Sequence, residues 1–311
     1  MVDIFKQEID DINEVVFNIL LKDRTTRNNI CWATDNYESR GLSFYPQEPI
    51  TKSLISGINK DVVQPRILKS ISEQSKRTKD KAEVFTPSWI CNEQNNLIDE
   101  AWFGKKNVFN EVTEFSWKAT KNKVKFPADK TWHDYVKSKR LEITCGEAPY
   151  LVSRYDTVTG EKIPIEERIG ILDRKLRIVS ENTESEADWF KWVIKAYEST
   201  YGYEYQGDNI LIARKNLLYT FIEYRIYKFI SEPTLEQLKK IARIISWNIW
   251  QMDGVTMTVP FSEKPKENVQ LSLFDFMEGI ETKETESIPC RIYDWRSNES
   301  IEFRSMIKEG V

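Results

Sequence analysis

Leu141-Glu-Ile-Thr-Cys-Gly-Glu-Ala-Pro-Tyr150 is the stretch on which the fold turns. Leu141 to Thr144 reads as a short strand carrying an acid at Glu142. The turn after it holds Gly146 and Ala148, small residues that let a ligand approach the backbone at the carboxyl edge of a sheet. Turns of this composition are frequent, so the stretch gains its weight from two later strand ends. Tyr201-Gly-Tyr-Glu204-Tyr reads as the end of a second strand, with a carboxylate placed to take two ribose hydroxyls. Asn248-Ile-Trp-Gln reads as a third strand, closed by Asp253-Gly254, where an acid suits an adenine amine. Between these lie an amphipathic helix from Ala187 to Thr200, with Trp189, Trp192, Val193 and Ala196 on its apolar side, a long helix from Asn209 to Ile230, and a helix from Pro233 through Ile241. Strand and helix therefore alternate from Glu142 to Asp253, which predicts an α/β domain with a parallel sheet. Ordinary strand-end acids are the alternative reading of Glu142, Glu204 and Asp253.

Composition narrows the classes. The chain has 311 residues, 40% of them hydrophobic, enough to bury a sizeable core. Its 45 Lys+Arg against 49 Asp+Glu give a net charge of −4, which excludes a globally basic nucleic-acid coat but leaves room for a local basic face. Charges interrupt every apolar stretch, so no membrane span is expected. The first residues are acidic and lack the apolar region of a signal peptide. Four scattered cysteines and the single His133 make a Cys/His zinc site or a histidine-based triad hard to build, and no metal is expected. The expectation is a soluble, cytoplasmic protein.

Three regions are expected. Residues 1–80 form a helical and loop region, with Ile12, Val16, Ile19 and Leu20 as a buried stripe and an irregular loop from Asn28 to Tyr45. Residues 81–260 form the α/β domain. Residues 261–311, rich in Lys, Glu, Pro, Ser and Thr, read as a flexible tail. Between Arg66 and Lys81 six Lys/Arg face two acids, and between Lys105 and Arg140 ten face four, interleaved with Phe109, Phe115, Trp117, Phe126 and Trp132. These stretches read either as the walls of a DNA-facing cleft or as solvated faces.

The order of elements resembles the S-adenosylmethionine module of DNA adenine-N6 methyltransferases, particularly the modification subunits of restriction-modification systems. The family's aromatic-Thr-Pro element has its counterpart in Phe85-Thr86-Pro87, followed by Trp89-Ile-Cys-Asn92. Its Asp-Pro-x-x-Gly-x-Gly turn resembles Glu142-Ile-Thr-Cys-Gly146-Glu-Ala148. Its second-strand acid and following helix resemble Tyr201-Gly-Tyr-Glu204 and Leu211-Ile-Ala-Arg-Lys-Asn216, and its third element resembles Asn248 to Gly254. The match covers roughly residues 80–255. The resemblance implies a Rossmann-like S-adenosylmethionine-dependent fold and a bacterial or mobile-element DNA modification system. It further implies that Phe85 and Thr86 help hold the cofactor, the turn at Glu142 and Gly146 carries its methionine end, Glu204 its ribose and Asp253 its adenine. Glu for Asp at 142 and Ala for Gly at 148 are departures that narrow the pocket.

The family's catalytic Asn/Asp-Pro-Pro-aromatic tetrapeptide is absent. Thr258-Val-Pro260-Phe261 keeps a proline and an aromatic but lacks the amide or acid that would polarise the amine of a flipped adenine. An active enzyme, one completed by a second methyltransferase or specificity subunit, and an inactive accessory that binds DNA all remain open. In the tail, Gln270-Leu271-Ser-Leu273-Phe274 resembles the peptide by which bacterial proteins bind the replicative sliding clamp. Gln270 would bond at the rim while Leu271, Leu273 and Phe274 fill the hydrophobic pocket. A strand or helix folding back is the alternative. Ile169-Gly-Ile-Leu-Asp173-Arg174-Lys175 is expected to be a strand or turn with an ion pair, His133 a surface or partly packed residue, and Arg291 to Arg296 a segment docked on the sheet edge.

Overall fold

A computed structural model describes residues 12–81, 83–265 and 285–307. They form a mixed α/β structure around a three-stranded parallel sheet. The amino-terminal part holds α1 (Glu14–Leu21), a chain of single-turn helices, α2 (Ile71–Lys81) and α3 (Ser88–Phe103). An antiparallel hairpin, β1 (Asn110–Thr113) and β2 (Ser116–Ala119), leads to the short α4 (Trp132–Lys137). Then β3 (Arg140–Glu142), α5 (Ile171–Asn182), α6 (Glu186–Glu198), β4 (Thr200–Glu204), α7 (Gly207–Phe229), α8 (Leu235–Asn248) and β5 (Ile249–Gln251) follow.

The expected alternation and parallel pairing are present, in the strand order β3-β4-β5. Local chemistry sets the helix starts. Ser185 caps α6, and Thr234 with Gln237 forms a capping box on α8, satisfying amide groups that have no partner inside the helix.

The register places Glu142, Gly202 and Ile249 in one row across the sheet. Side chains alternate along a strand, so Tyr201 and Tyr203 point to the face opposite this row. On the row's side Ile249 joins the main core, with Leu172, Leu176, Leu211, Ile245 and the α1 stripe of Ile12, Val16, Phe17 and Leu20. Residues before and after position 80 thus share one core. On the other face Tyr201, Tyr203, Trp250 and Met252 pack with Cys290, Ile292 and Phe303.

That second cluster corrects the expectation for the tail. Residues 291–302 form an antiparallel hairpin, β8 (Arg291–Asp294) and β9 (Glu299–Glu302), preceded by the two-residue pair β6 (Lys264–Pro265) and β7 (Thr285–Glu286). Cys290 is fully buried, and Trp295 Nε1 donates to Asn248 Oδ1 at 2.8 Å, so this end does dock, but as a separate two-stranded pair against the second face of the sheet rather than at the edge expected for Arg291–Arg296. The Gln270–Phe274 peptide lies outside the described residues.

Residues 169–175 are also corrected. Gly170 precedes α5, and Asp173, Arg174 and Lys175 lie inside that helix at 0–1% exposure. Arg174 pairs with Asp99 and Asn92, Asp173 accepts from the Ser153 amide, and Lys175 Nζ bonds Ser138 O, Ser199 Oγ and Thr200 Oγ1. No helix among the described residues is long and apolar enough to cross a membrane.

Candidate functional site

A cavity of about 730 Å³ opens at the carboxyl ends of β3 and β4. Phe85, Thr86, Glu142, Gly146 and Glu204 all line it, so five sequence-selected residues from three separate stretches converge on one space. Asp253 is not in the lining: its Oδ1 accepts from the Val255 and Thr256 amides. Thr258, Pro260 and Phe261 also lie outside the lining. Thr258 is bridged to Asp253 and Pro289, and Phe261 is 54% exposed.

Backbone geometry shapes the floor. Thr144, Gly146 and Ala148 all adopt positive φ, at 46°, 53° and 66°, which folds the turn tightly back beneath Phe85. Gly146 meets that requirement without strain, and a methyl group added there would sit an unforced 3.8 Å from the Phe85 ring. Phe85 itself lies under the Arg66 guanidinium, 5.2 Å from the ring centre.

Glu204 is the hub. Its Oε1 accepts from the Tyr205 and Gln206 amides and its Oε2 from Gly146 N at 2.9 Å. A carboxylate offers about four acceptor positions, so roughly one remains for a ligand. Burial nevertheless raises its pKa above the ordinary value, the three amides only partly offsetting the lost hydration.

Glu142 is more exposed to that cost. Its Oε1 receives a long bond from Tyr150 N at 3.4 Å, while its buried Oε2 has no partner among the described residues. Burial drives its pKa well up, and the nearby Glu204 adds to the rise. Two further lining residues present orphaned buried acceptors, Asn95 Oδ1 and Glu83 Oε1.

A buried ion cluster holds the Phe85 wall in place. Arg77, on α2, donates to Glu83 through Nε at 2.8 Å and to Asp208 through Nη2 at 3.3 Å, and its Nη1 forms an ion pair with Asp208 at 2.9 Å. Tyr37 Oη donates to Asp208 at 2.7 Å and Lys69 adds a second cation at 3.5 Å, so Asp208 is held well below the usual carboxylate range despite its burial. Lys69 and Arg77, counted in the first basic stretch, therefore face inward. The sequence pattern did not single out Glu83, Asn95, Tyr150 or Gln206 as site residues. Only the last carried a signal, standing two residues beyond the second-strand acid.

Among the described residues no cluster of His, Cys, Asp or Glu is arranged to hold a metal ion. Comparison with known proteins finds no family model, no curated protein and no solved structure that matches the chain.

Proposed function

We propose that this cavity binds S-adenosylmethionine and that the chain is a DNA adenine-N6 methyltransferase-like protein of a DNA modification system. The observation that carries the reading is the convergence of Phe85, Thr86, Glu142, Gly146 and Glu204 on one cavity, whose lining residues Glu83, Asn95 and Glu142 each keep a buried oxygen without a partner among the described residues. Burying such groups unpaired is costly, so the ligand that fits supplies donors and positive charge. An ammonium, a sulfonium, ribose hydroxyls and an exocyclic amine answer that description. A dinucleotide's pyrophosphate answers it poorly, because the lining carries the acidic side chains Glu83, Glu142 and Glu204 and its Lys81 is paired with Asp35 at 2.9 Å.

The protein's own residues would divide the work. Glu142 and Asn95 would accept from the ammonium end, the open position on Glu204 from a ribose hydroxyl, and Phe85, Ile98 and Ile143 would flank the apolar parts. The cofactor, when bound, supplies the transferable methyl group. The parallel order β3-β4-β5 and the four family-like elements support a Rossmann-like reading of the sheet.

A second reading is favoured by one specific observation: Thr258, Pro260 and Phe261, the nearest match to the missing catalytic tetrapeptide, do not line the cavity. On that reading the chain binds the cofactor or DNA as a non-catalytic accessory, with the Gln270–Phe274 peptide serving a sliding clamp. Calorimetric titration with S-adenosylmethionine tests the first proposal, and N6-methyladenine in DNA from cells expressing the chain alone separates the two. Absence of binding sinks the cofactor assignment. Binding without methylation excludes an enzyme active on its own and leaves the accessory beside an enzyme completed by a second subunit.

A further inference from the structure

A second cleft, about 600 Å³, lies at the opposite end of the parallel strands, where Lys139 precedes β3 and Ser199 precedes β4. Lys137, Lys195 and Arg296 also line it, against two acids, Glu198 and Asp294. Glu198 is engaged by Lys195 at 2.7 Å and Asp294 stands 3.8 Å from Lys139, so Lys137 and Arg296 are the two cations of the cleft with no carboxylate partner among the described residues. Beneath the floor Lys175 bonds Ser199 through neutral oxygens alone, and burial drives its pKa well below the ordinary lysine value, so the charge of the cleft rests on the residues that line it.

The cleft continues onto an aromatic platform. His133, Trp132 and Trp192 form a triangle of tilted rings, with centres 3.9 Å (Trp132–His133), 4.1 Å (His133–Trp192) and 4.7 Å (Trp132–Trp192) apart, and all three side chains are half-buried. Lys137 joins the two features, lining the cleft while its Nζ lies 5.1 Å from the Trp192 ring centre. The lone histidine thus belongs to a half-buried aromatic cluster, and Trp192 of α6 packs on the main core as well as on His133. Asp134 and Asp188 lie within electrostatic range of His133 and set the platform's acidic border.

We propose that this face binds single-stranded nucleic acid, with backbone phosphates on Lys137 and Arg296 and a base on the Trp132–His133–Trp192 platform. Cations tracking a backbone beside open aromatic rings are the pairing that single strands use, because an unpaired base can lie on a ring while its phosphate meets a cation. A duplex keeps its bases stacked on each other and can use only the cations. The assignment does not depend on what fills the cavity at the other end of the sheet.

Fluorescence anisotropy of a labelled oligothymidylate with the full chain tests it, beside an abasic oligomer, a duplex and inorganic phosphate as competitor. The expected result is saturable binding that weakens at least about fivefold without bases, the low end of the worth of one stacked base. The double variant Lys137→Ala/Arg296→Ala, checked for an unchanged melting temperature, should lower the salt slope by about 1.4, two single-strand phosphate contacts. Glu204→Ala should leave this binding unchanged. No binding, an unchanged salt slope in a folded double variant, or abasic or duplex probes binding as well as the oligothymidylate would each overturn the proposal. So would full displacement by inorganic phosphate, which would mark the cleft as a small-anion site.

Discussion

Gly146 donates its amide to Glu204 Oε2 at 2.9 Å, which makes the turn after β3 and the acid at the end of β4 a single unit. The carboxylate is therefore oriented before any ligand arrives, and its direction is set by backbone rather than by a flexible side-chain partner. Glu204→Ala should abolish S-adenosylmethionine binding in calorimetry, and Glu204→Gln should weaken it by tenfold or more, the effect of roughly 1.4 kcal/mol. Unchanged affinity in both variants would remove Glu204 from the site.

Glu142 gives the site a pH signature. Its folded pKa stands well above the ordinary 4.5 because burial penalises the anion, so the folded protein holds a proton that the unfolded chain releases. Stability should consequently fall as pH rises from about 4.5 toward the folded pKa, since the unfolded state gains more from ionisation. Melting temperatures across that range should show a flatter slope for Glu142→Gln than for the parent protein. A parallel pair of curves would contradict the assignment. A donor-bearing ligand should also reduce the parent's slope, by favouring the anion.

Arg77 neutralises two buried carboxylates at once. Arg77→Met leaves Asp208 and Glu83 without their main counter-charge and should cost about 3–5 kcal/mol in denaturant unfolding. Adding Asp208→Asn should restore a large part of that loss, because the remaining uncompensated charge is removed. If the double variant is as unstable as the single one, the cost lies in packing around the guanidinium instead.

Two glycines near the site should answer a methyl group differently. At Gly207 the added carbon would lie 1.9 Å from Cys31 O, a backbone clash at the start of α7. Gly207→Ala should cost about 2–3 kcal/mol by forcing the amino-terminal loop away from the helix. At Gly146 the space is open and only the positive φ is at stake, so Gly146→Ala should cost about 1 kcal/mol. Equilibrium unfolding of the two variants checks the order.

The sheet was legible because its strands are short runs set off by small residues and acids, and because Glu204 and Gln206 sit where a strand turns into a helix. The convergence of Phe85-Thr86 with Glu142, Gly146 and Glu204 was legible only through the order of the elements. Position 253 shows the limit: an acid after a third strand looks like a ligand group, yet its oxygen closes its own turn through Val255 and Thr256. The Asp173-Arg174-Lys175 triplet hides its helix for a physical reason. Three successive charges look solvated unless their partners are known, and those partners, Asp99, Ser153 and Ser199, come from distant segments. In the same way nothing local distinguishes Arg77, buried on Asp208, from the outward lysines around it.

Phe303 lies against both Tyr203 and Trp250, at ring-centre distances of 6.0 and 5.0 Å. During synthesis, then, the ribosome delivers the sheet long before it delivers the residues that close its second face. Until the segment from Cys290 to Phe303 emerges, the nascent chain carries Tyr201, Tyr203, Trp250 and Met252 uncovered, a surface suited to chaperones or to aggregation. A premature stop between Asp253 and Cys290 would therefore release a sheet complete in its strands and still sticky on one side.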